Sequence, residues 1–326
     1  MMGLPSPASI TDALLECTIV ASFTKIGFDV RSRVGDWGNQ PPSLSGQTAI
    51  VTGSTSGIGR ATAERLLALG ADVIVTSRSA DGADEAAEQL NAATSTSSHR
   101  RGSATGLALD TSSFSSIRTF VDAVERVSES VEMIAHNAGA LSDEYQTDDR
   151  GVELTLSSHL VGPYLLTKLL EPKLSHGARV IFMSSGGMYT QGLDVQRIEM
   201  SESDYKGAVA YARAKRGQVE MVTHLGPKWA PRIALQAMHP GWVDTPGVDS
   251  GLPGFGKIMG PLLRTADQGA DTMVWLAAGA AAQEDPGQFW LDRSPRRTAY
   301  LPGTQTTAKE RDRLIAWLDE QISAGL

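Results

Sequence analysis

Ala49-Ile50-Val51-Thr52-Gly53-Ser54-Thr55-Ser56-Gly57-Ile58-Gly59-Arg60 is the run from which the architecture of this chain can be read. Its first three residues are apolar and β-favouring, and they lead straight into a glycine-rich turn. Beyond the turn, Ala61, Ala63, Leu66, Leu67 and Leu69 fall on the apolar stripe of a helix that Gly70 ends. Strand, glycine turn and helix aim free backbone N–H groups and a positive helix end at one point, which suits a phosphate. Gly53 permits the tight turn, Gly57 lets backbone approach a pyrophosphate, and Gly59 lets helix and sheet pack closely. Thr52, Ser54, Ser56 and Ile58 complete the candidate cradle. A glycine triplet alone is weak evidence, so the remaining segments must support it.

Working outward, strand and helix alternate. Expected strands are Thr48–Val51, Asp72–Thr76, Thr105–Leu109, Glu132–His136, Arg179–Met183 and Ala234–Met238. Expected helices are Gly57–Leu69, Ala83–Ala93, Ser115–Val127, residues 151–170 and Ala208–His224. That βαβ rhythm predicts an α/β fold, a doubly wound parallel sheet of the Rossmann type with both faces covered. A helix at Gln268–Ala278, an apolar segment at Phe289–Leu291 and a helix over about Ala308–Ile322 follow. The expected organisation is a partly helical extension over 1–45, a catalytic domain over 46–302 and a C-terminal helix over 303–326. Residues 93–102 read as a polar surface loop.

Composition excludes several classes of function. With 326 residues, 29 basic against 37 acidic and a net charge of −8, the chain has no dense basic patch and no nucleic-acid footprint. Cys17 is the single cysteine, which excludes an internal disulfide framework and a thiolate metal site and fits a reducing, cytoplasmic setting. The six histidines are scattered, and no metal site is expected. No run of eighteen apolar residues is present, so no transmembrane helix is expected. Residues 10–28 are moderately apolar but broken by Asp12, Glu16 and Lys25. Two readings stay open for them: a helix packed on the domain or on a partner subunit, and an interfacial helix peripheral to a membrane.

The chemistry clusters at the expected strand ends. After the second strand stands Ser77-Arg78, where an acidic residue would bind a free ribose 2′-hydroxyl and repel a 2′-phosphate. The guanidinium of Arg78 can pair with that phosphate, which points to NADP(H) over NAD(H). Tyr211 and Lys215 stand four apart, on one helix face. A nearby ammonium favours phenolate and brings a tyrosine towards a working acid/base range. Ser184 and Ser185 end one strand, and His136-Asn137-Ala138-Gly139 ends another, at the carboxyl edge where open α/β sheets bind ligands.

Taken in order, Thr52-Gly53-(three)-Gly57-Ile58-Gly59, Asn137-Ala138-Gly139, Ser185, Tyr211-(three)-Lys215 and Pro240-Gly241-Trp242-Val243-Asp244-Thr245 resemble the motif set of the short-chain dehydrogenases/reductases. Ser184–Met188, His239–Trp242, Gln268–Met273 and Phe289–Arg293 are similar to a subgroup near its retinol-dehydrogenase-like branch. The resemblance implies that Tyr211 exchanges the proton, Lys215 lowers its pKa and binds the nicotinamide ribose, and Ser185 orients the substrate oxygen. It implies that Asn137, with Ala138 and Gly139, supports the cofactor pocket, Asp110 touches the adenine, and Pro240, Gly241, Val243 and Thr245 close on the nicotinamide. It also implies a homo-oligomer formed through long helices, with the extension able to cover that face.

Two departures stand out. The family's active-site asparagine falls on His159, which titrates near neutral pH and is expected to relay protons in its place or to leave activity weak. The gap from Ser185 to Tyr211 is longer than the family pattern and carries Asp194, Arg197, Glu199, Glu202 and Asp204. Pro246–Leu263 is apolar and glycine-punctuated, and reads either as a mobile lid over an apolar, lipid-like substrate or as core packing. The expected function is an NADP(H)-dependent interconversion of a carbonyl and an alcohol. The alternative is a cofactor-binding redox sensor or scaffold with little turnover.

Overall fold

Alternating side chains along each inner strand reach opposite faces of the sheet, and both faces are covered. In the computed structural model, which describes residues 7–16, 18–35, 37, 41–94, 102–244, 260–279, 281–323 and 326, the expected strands form. They are β1 (Thr48–Val51), β2 (Asp72–Ser77), β3 (Ala104–Ala108), β4 (Val131–His136), β5 (Leu174–Met183), β6 (Ile233–Met238) and β7 (Phe289–Leu291), with a short β8 (Ser294–Pro295). Their order is β3-β2-β1-β4-β5-β6-β7-β8, parallel except for the last pair. Ala49, Val51, Val73, Val75, Met133 and Ala135 pack on one side; Ile50, Ile74 and Ile134 pack on the other. This alternation of two buried faces is what near-continuous apolar strands produce in a parallel sheet.

The first face is covered by α4 (Gly57–Ala68), α5 (Ala80–Thr94) and α10 (Ala266–Ala278), through Leu66, Leu90 and Met273. The second is covered by α6 (Phe114–Val127), α8 (Gly162–Leu170), α9 (Gly207–Trp229) and α12 (Ala308–Ile322), through Phe120, Leu165, Val219 and Leu314. The chain reverses its direction of travel across the sheet between β1 and β4. That switch point opens a crevice at the strand ends, where doubly wound folds bind ligands.

Two elements differ from expectation. Strand β5 begins five residues before Arg179, because Leu174 pairs with Val131 across a register break before Met133; Gly177, at φ +79°, lies within it. The polar Ser175-His176-Gly177 hides this extension in the sequence. The expected helix over 151–170 is interrupted: α7 (Leu154–Leu156) passes into a π turn, Ser157–Val161, before α8. A Cβ on Gly162 would overlap the Thr111 carbonyl, and Pro163 brings no N–H to the first turn of α8. Such π turns recur at functional sites, and this one carries His159.

Ahead of the sheet, α1 (Pro7–Glu16), α2 (Ile19–Phe23) and α3 (Lys25–Val34) fold onto the domain. The charges that interrupt this stretch in the sequence supply contacts. Asp12 pairs with Arg31 at 2.6 Å and with Arg296 at 2.6 Å, and Glu16 pairs with Arg296 at 3.0 Å. Leu14, Ile19, Val20 and Ile26 stay exposed on the outer side. No helix among the described residues is long and apolar enough to cross a membrane. Of the polar loop expected over 93–102, residues 93–94 end α5 and 95–101 lie outside the described residues, as does most of the apolar Pro246–Leu263 stretch; of that stretch, Gly260–Leu262 form a short 3-10 turn.

Candidate active site

The two turns flanking the switch point are laced together. Thr52 Oγ1 accepts hydrogen bonds from the Asn137 and Ala138 amides, each at 2.9 Å. Asn137 Nδ2 donates back to the Thr52 and Gly53 carbonyls at 2.9 and 3.0 Å. Gly53 has φ +64°, and a Cβ there would stand 2.8 Å from Ala138 Cα. A Cβ on Gly59 would overlap the Gly53 carbonyl and the Asn137 amide. Glycine is therefore required where β1 turns into α4.

Ser56 caps α4 with extended backbone and no side-chain hydrogen bond to the helix, and it is exposed beside Gly57 and Ile58. That uncapped N-terminus and the two glycine approaches fit the pyrophosphate of a dinucleotide. Ser54 faces inward: its Oγ donates to the Val51 carbonyl at 2.9 Å and accepts from the Thr76 amide at 2.8 Å. Arg78 stands exposed just beyond β2, with no ion-pair partner among the described residues. Asp110, past β3, holds the Ser112 amide and hydroxyl through Oδ1 at 2.9 and 2.6 Å.

Across the crevice, Ser185 follows β5 and accepts from the Gly187 amide at 3.2 Å. Tyr211 lies on α9 beside it. Burial pushes the Tyr211 phenol above its usual range, and a hydrogen bond with Ser185 pulls it back in part. Lys215, one turn on, is buried and donates to the Met183 carbonyl at 2.6 Å. Burial lowers its ammonium to about 7. The Lys215 Nζ lies 5.5 Å from the centre of the Tyr211 ring. Ser184 turns away from the crevice and donates to the Lys215 carbonyl at 2.9 Å.

His159 meets Tyr211 edge-on at 5.1 Å between ring centres. Its Nε2 hydrogen-bonds the Ala140 carbonyl at 2.9 Å, while Nδ1 is buried with no partner among the described residues. Burial, and then the Lys215 charge, push its pKa down to about 3. The expectation that His159 titrates near neutral pH is thus corrected: the imidazole is neutral, and its 1% exposure is the reason. No cluster of potential metal ligands occurs among the described residues.

The third wall is the turn after β6. Gly241, at φ +79°, has no room for a Cβ between Arg264 and the Phe23 carbonyl, 2.6 Å away. Pro240 and Val243 flank it, with Val243 buried; Thr245 lies outside the described residues. Sequence reasoning missed what holds this turn. Phe23, Tyr189, His239 and Trp242 form an aromatic cluster there, and Arg264 binds the Pro240 carbonyl at 3.1 Å. Phe23 comes from an extension without a motif; only His239, next to Pro240, carries a local signal.

Against known proteins, the model of the short chain dehydrogenase family matches residues 47–251. Dehydrogenase/reductase SDR family member 12 of Bos taurus is 33% identical over 309 residues, covering 91% of this chain and 93% of that one. Retinol dehydrogenase 14 of Homo sapiens is 28% identical, covering 78% and 81%. The crystal structure of angucycline C-6 ketoreductase LanV with bound NADP has the same fold, with a TM-score of 0.62, 21% identity and coverage of 77% and 95%. The chain belongs to the short chain dehydrogenase family of oxidoreductases, which act on CH–OH and C=O groups and bind a nicotinamide dinucleotide.

Proposed function

We propose that this protein is an NADP(H)-dependent oxidoreductase that reduces an apolar carbonyl compound, with Tyr211 as the proton donor. The observation that carries the reading is the meeting of Ser185, Tyr211 and Lys215 beside the Thr52–Asn137 lacing, at one edge of the sheet. Thr52, Gly53, Ser56, Gly57, Ile58 and Asn137 would hold the dinucleotide, and Arg78 would hold a 2′-phosphate. Bound there, the nicotinamide would supply or accept a hydride.

The chain's own residues handle the oxygen and the proton. Ser185 donates a hydrogen bond to the substrate oxygen and keeps it beside the phenol. A phenol raised by burial stays protonated at neutral pH, which is what a group giving its proton to a developing alkoxide needs. Lys215, with its Nζ 5.5 Å from the centre of that ring, would stabilise the phenolate left behind in the fraction that keeps its ammonium proton. Neutral His159 buttresses the Tyr211 ring, gives its one N–H to the Ala140 carbonyl and takes no part in the proton transfer. The aromatic cluster of Phe23, His239 and Trp242, packed beside the loop that bears Ser185, supports an apolar substrate.

The test is NADPH oxidation with a panel of apolar aldehydes and ketones, comparing wild type with Tyr211→Phe. General acid catalysis contributes about 10²–10⁴-fold, so the variant should fall by that factor while NADPH binding, read by fluorescence, stays within about threefold. Equal rates for the two proteins, or cofactor binding with no turnover of any carbonyl, would favour the sensor or scaffold.

A further inference from the structure

The helical extension takes no part in the chemistry above, yet it reaches the site. Phe23, the last residue of α2, lays its ring against Gly186, the residue after Ser185; a Cβ on Gly186 would stand 2.6 Å from Phe23 Cε2. The same ring meets His239 edge-on at 4.5 Å and Trp242 at 5.8 Å. The Phe23 carbonyl accepts from the Trp242 amide at 2.7 Å, and the side chain remains partly exposed. One residue of the extension therefore touches both the loop that bears Ser185 and the turn after β6.

Its position is held on both sides. The Ser22 carbonyl accepts from Arg31 and Arg264, each at 3.0 Å, and the Thr24 carbonyl accepts from Arg264 Nε at 3.2 Å. Arg264 in turn holds the Pro240 carbonyl, so α2 and the turn share a clamp. These bonds fix the backbone on both sides of Phe23, and the ring itself packs against Gly186, His239 and Trp242. Gly186 has no side chain because the ring occupies that space.

We propose that Phe23 is a specificity-determining wall of the substrate pocket, setting the largest apolar group that can lie beside Ser185. The proposal rests on the carbonyl-reductase reading, and its test separates the two. In NADPH-dependent reduction, acetophenone and benzophenone serve as the small and bulky ketones, compared for wild type, Phe23→Ala, Phe23→Leu and Phe23→Trp. Hydrophobic pocket changes of this size shift discrimination by about 10–200-fold. The benzophenone-to-acetophenone ratio of kcat/KM should rise about 10-fold or more in Phe23→Ala, rise less in Phe23→Leu and fall in Phe23→Trp. A merely structural role would lower both ketones together and leave the ratio fixed.

A second measurement does not need turnover. Cys17 is the only cysteine, so Phe23→Cys in a Cys17→Ser background places a single thiol at the site. Its alkylation by N-ethylmaleimide, in the presence of NADPH, should slow at least ~5-fold when benzophenone is added, since an occupied pocket excludes the reagent. Protection without turnover would count against the reductase reading and leave the wall in place. An unchanged kcat/KM ratio across the three variants, or a thiol that reacts equally fast with and without the ketone, would overturn the proposal.

Discussion

Arg264 grips both oxygens of Asp292, at 2.6 and 2.8 Å, and Arg31 of the extension reaches the same carboxylate at 2.8 Å. All three side chains are buried, with exposures of 1%, 1% and 4%. Two guanidinium groups thus share one carboxylate inside the protein, and their other N–H groups donate to the Ser22, Thr24 and Pro240 carbonyls, to the Ser22 hydroxyl and to Asp12. Removing one partner of such a buried group leaves charge uncompensated and costs about 3–5 kcal/mol. Asp292→Asn is therefore expected to lower the urea-unfolding free energy by that amount. Arg31→Met, which keeps the Arg264–Asp292 pair, should cost less and should speed tryptic cleavage at Lys25 or Arg33. Unchanged cleavage would mean that the extension is held by something other than this network.

Arg78 gives a cofactor prediction with a clear sign. It is exposed at the end of β2 and has no anion of its own among the described residues. A hydrogen bond to a charged group is worth about 1.5–3 kcal/mol, or roughly 10–100-fold in affinity. Arg78→Ala should weaken NADPH binding within that range and leave NADH binding within about twofold, as fluorescence titration would read. Equal losses for both cofactors would show that Arg78 does not contact the 2′-phosphate.

The glycine turn, the strand ends and the Tyr211–Lys215 pair were legible because each rests on local chemistry. A turn needs glycine at fixed offsets, and two side chains four apart share a helix face. The π turn at Ser157–Val161 was not legible, since it answers a contact between Gly162 and Thr111 that are far apart in sequence. The depressed His159 pKa was hidden for the same reason, because no local pattern reveals burial beside Lys215. Asp12 and Glu16 read as interruptions in an apolar stretch, whereas their partner Arg296 lies 284 and 280 positions away. Long-range charge pairing leaves no periodic trace.

Three buried histidines, His136, His159 and His239, are all pushed below their ordinary range by burial and contribute to the acid response. His136 and His159 are both held near a pKa of about 3, first by burial and then by the Lys215 charge. In the unfolded chain each titrates near about 6.5. Between those values the unfolded state binds more protons, so stability rises with pH through the window and is lost as pH falls below about 6.5. Urea midpoints measured from pH 7.5 to 4.5 should show this decline. His159→Asn removes one such group and should flatten the slope by up to about 1.4 kcal/mol per pH unit. Because the ring is neutral throughout, the pH profile of kcat/KM should not gain or lose a break near 6.5 in this variant. A break that disappears with the ring would mean that His159 does titrate during turnover.

Gly139 and His159 are coupled by space. A Cβ on Gly139 would overlap the imidazole, and the glycine φ of +150° disfavours any side chain there. In Gly139→Ala the ring must move, and the ring it touches edge-on is that of Tyr211. The expected result is a loss of kcat larger than any rise in KM, together with lower stability. The backbone strain persists whatever stands at 159, but the overlap does not. In a His159→Ala background the same glycine substitution should therefore cost less than it does in the wild type. Contacting residues commonly show interaction energies of about 0.5–3 kcal/mol in such cycles. A cycle that closes to zero in both stability and kcat would place the whole effect in the backbone and free Tyr211 from any dependence on the His159 ring.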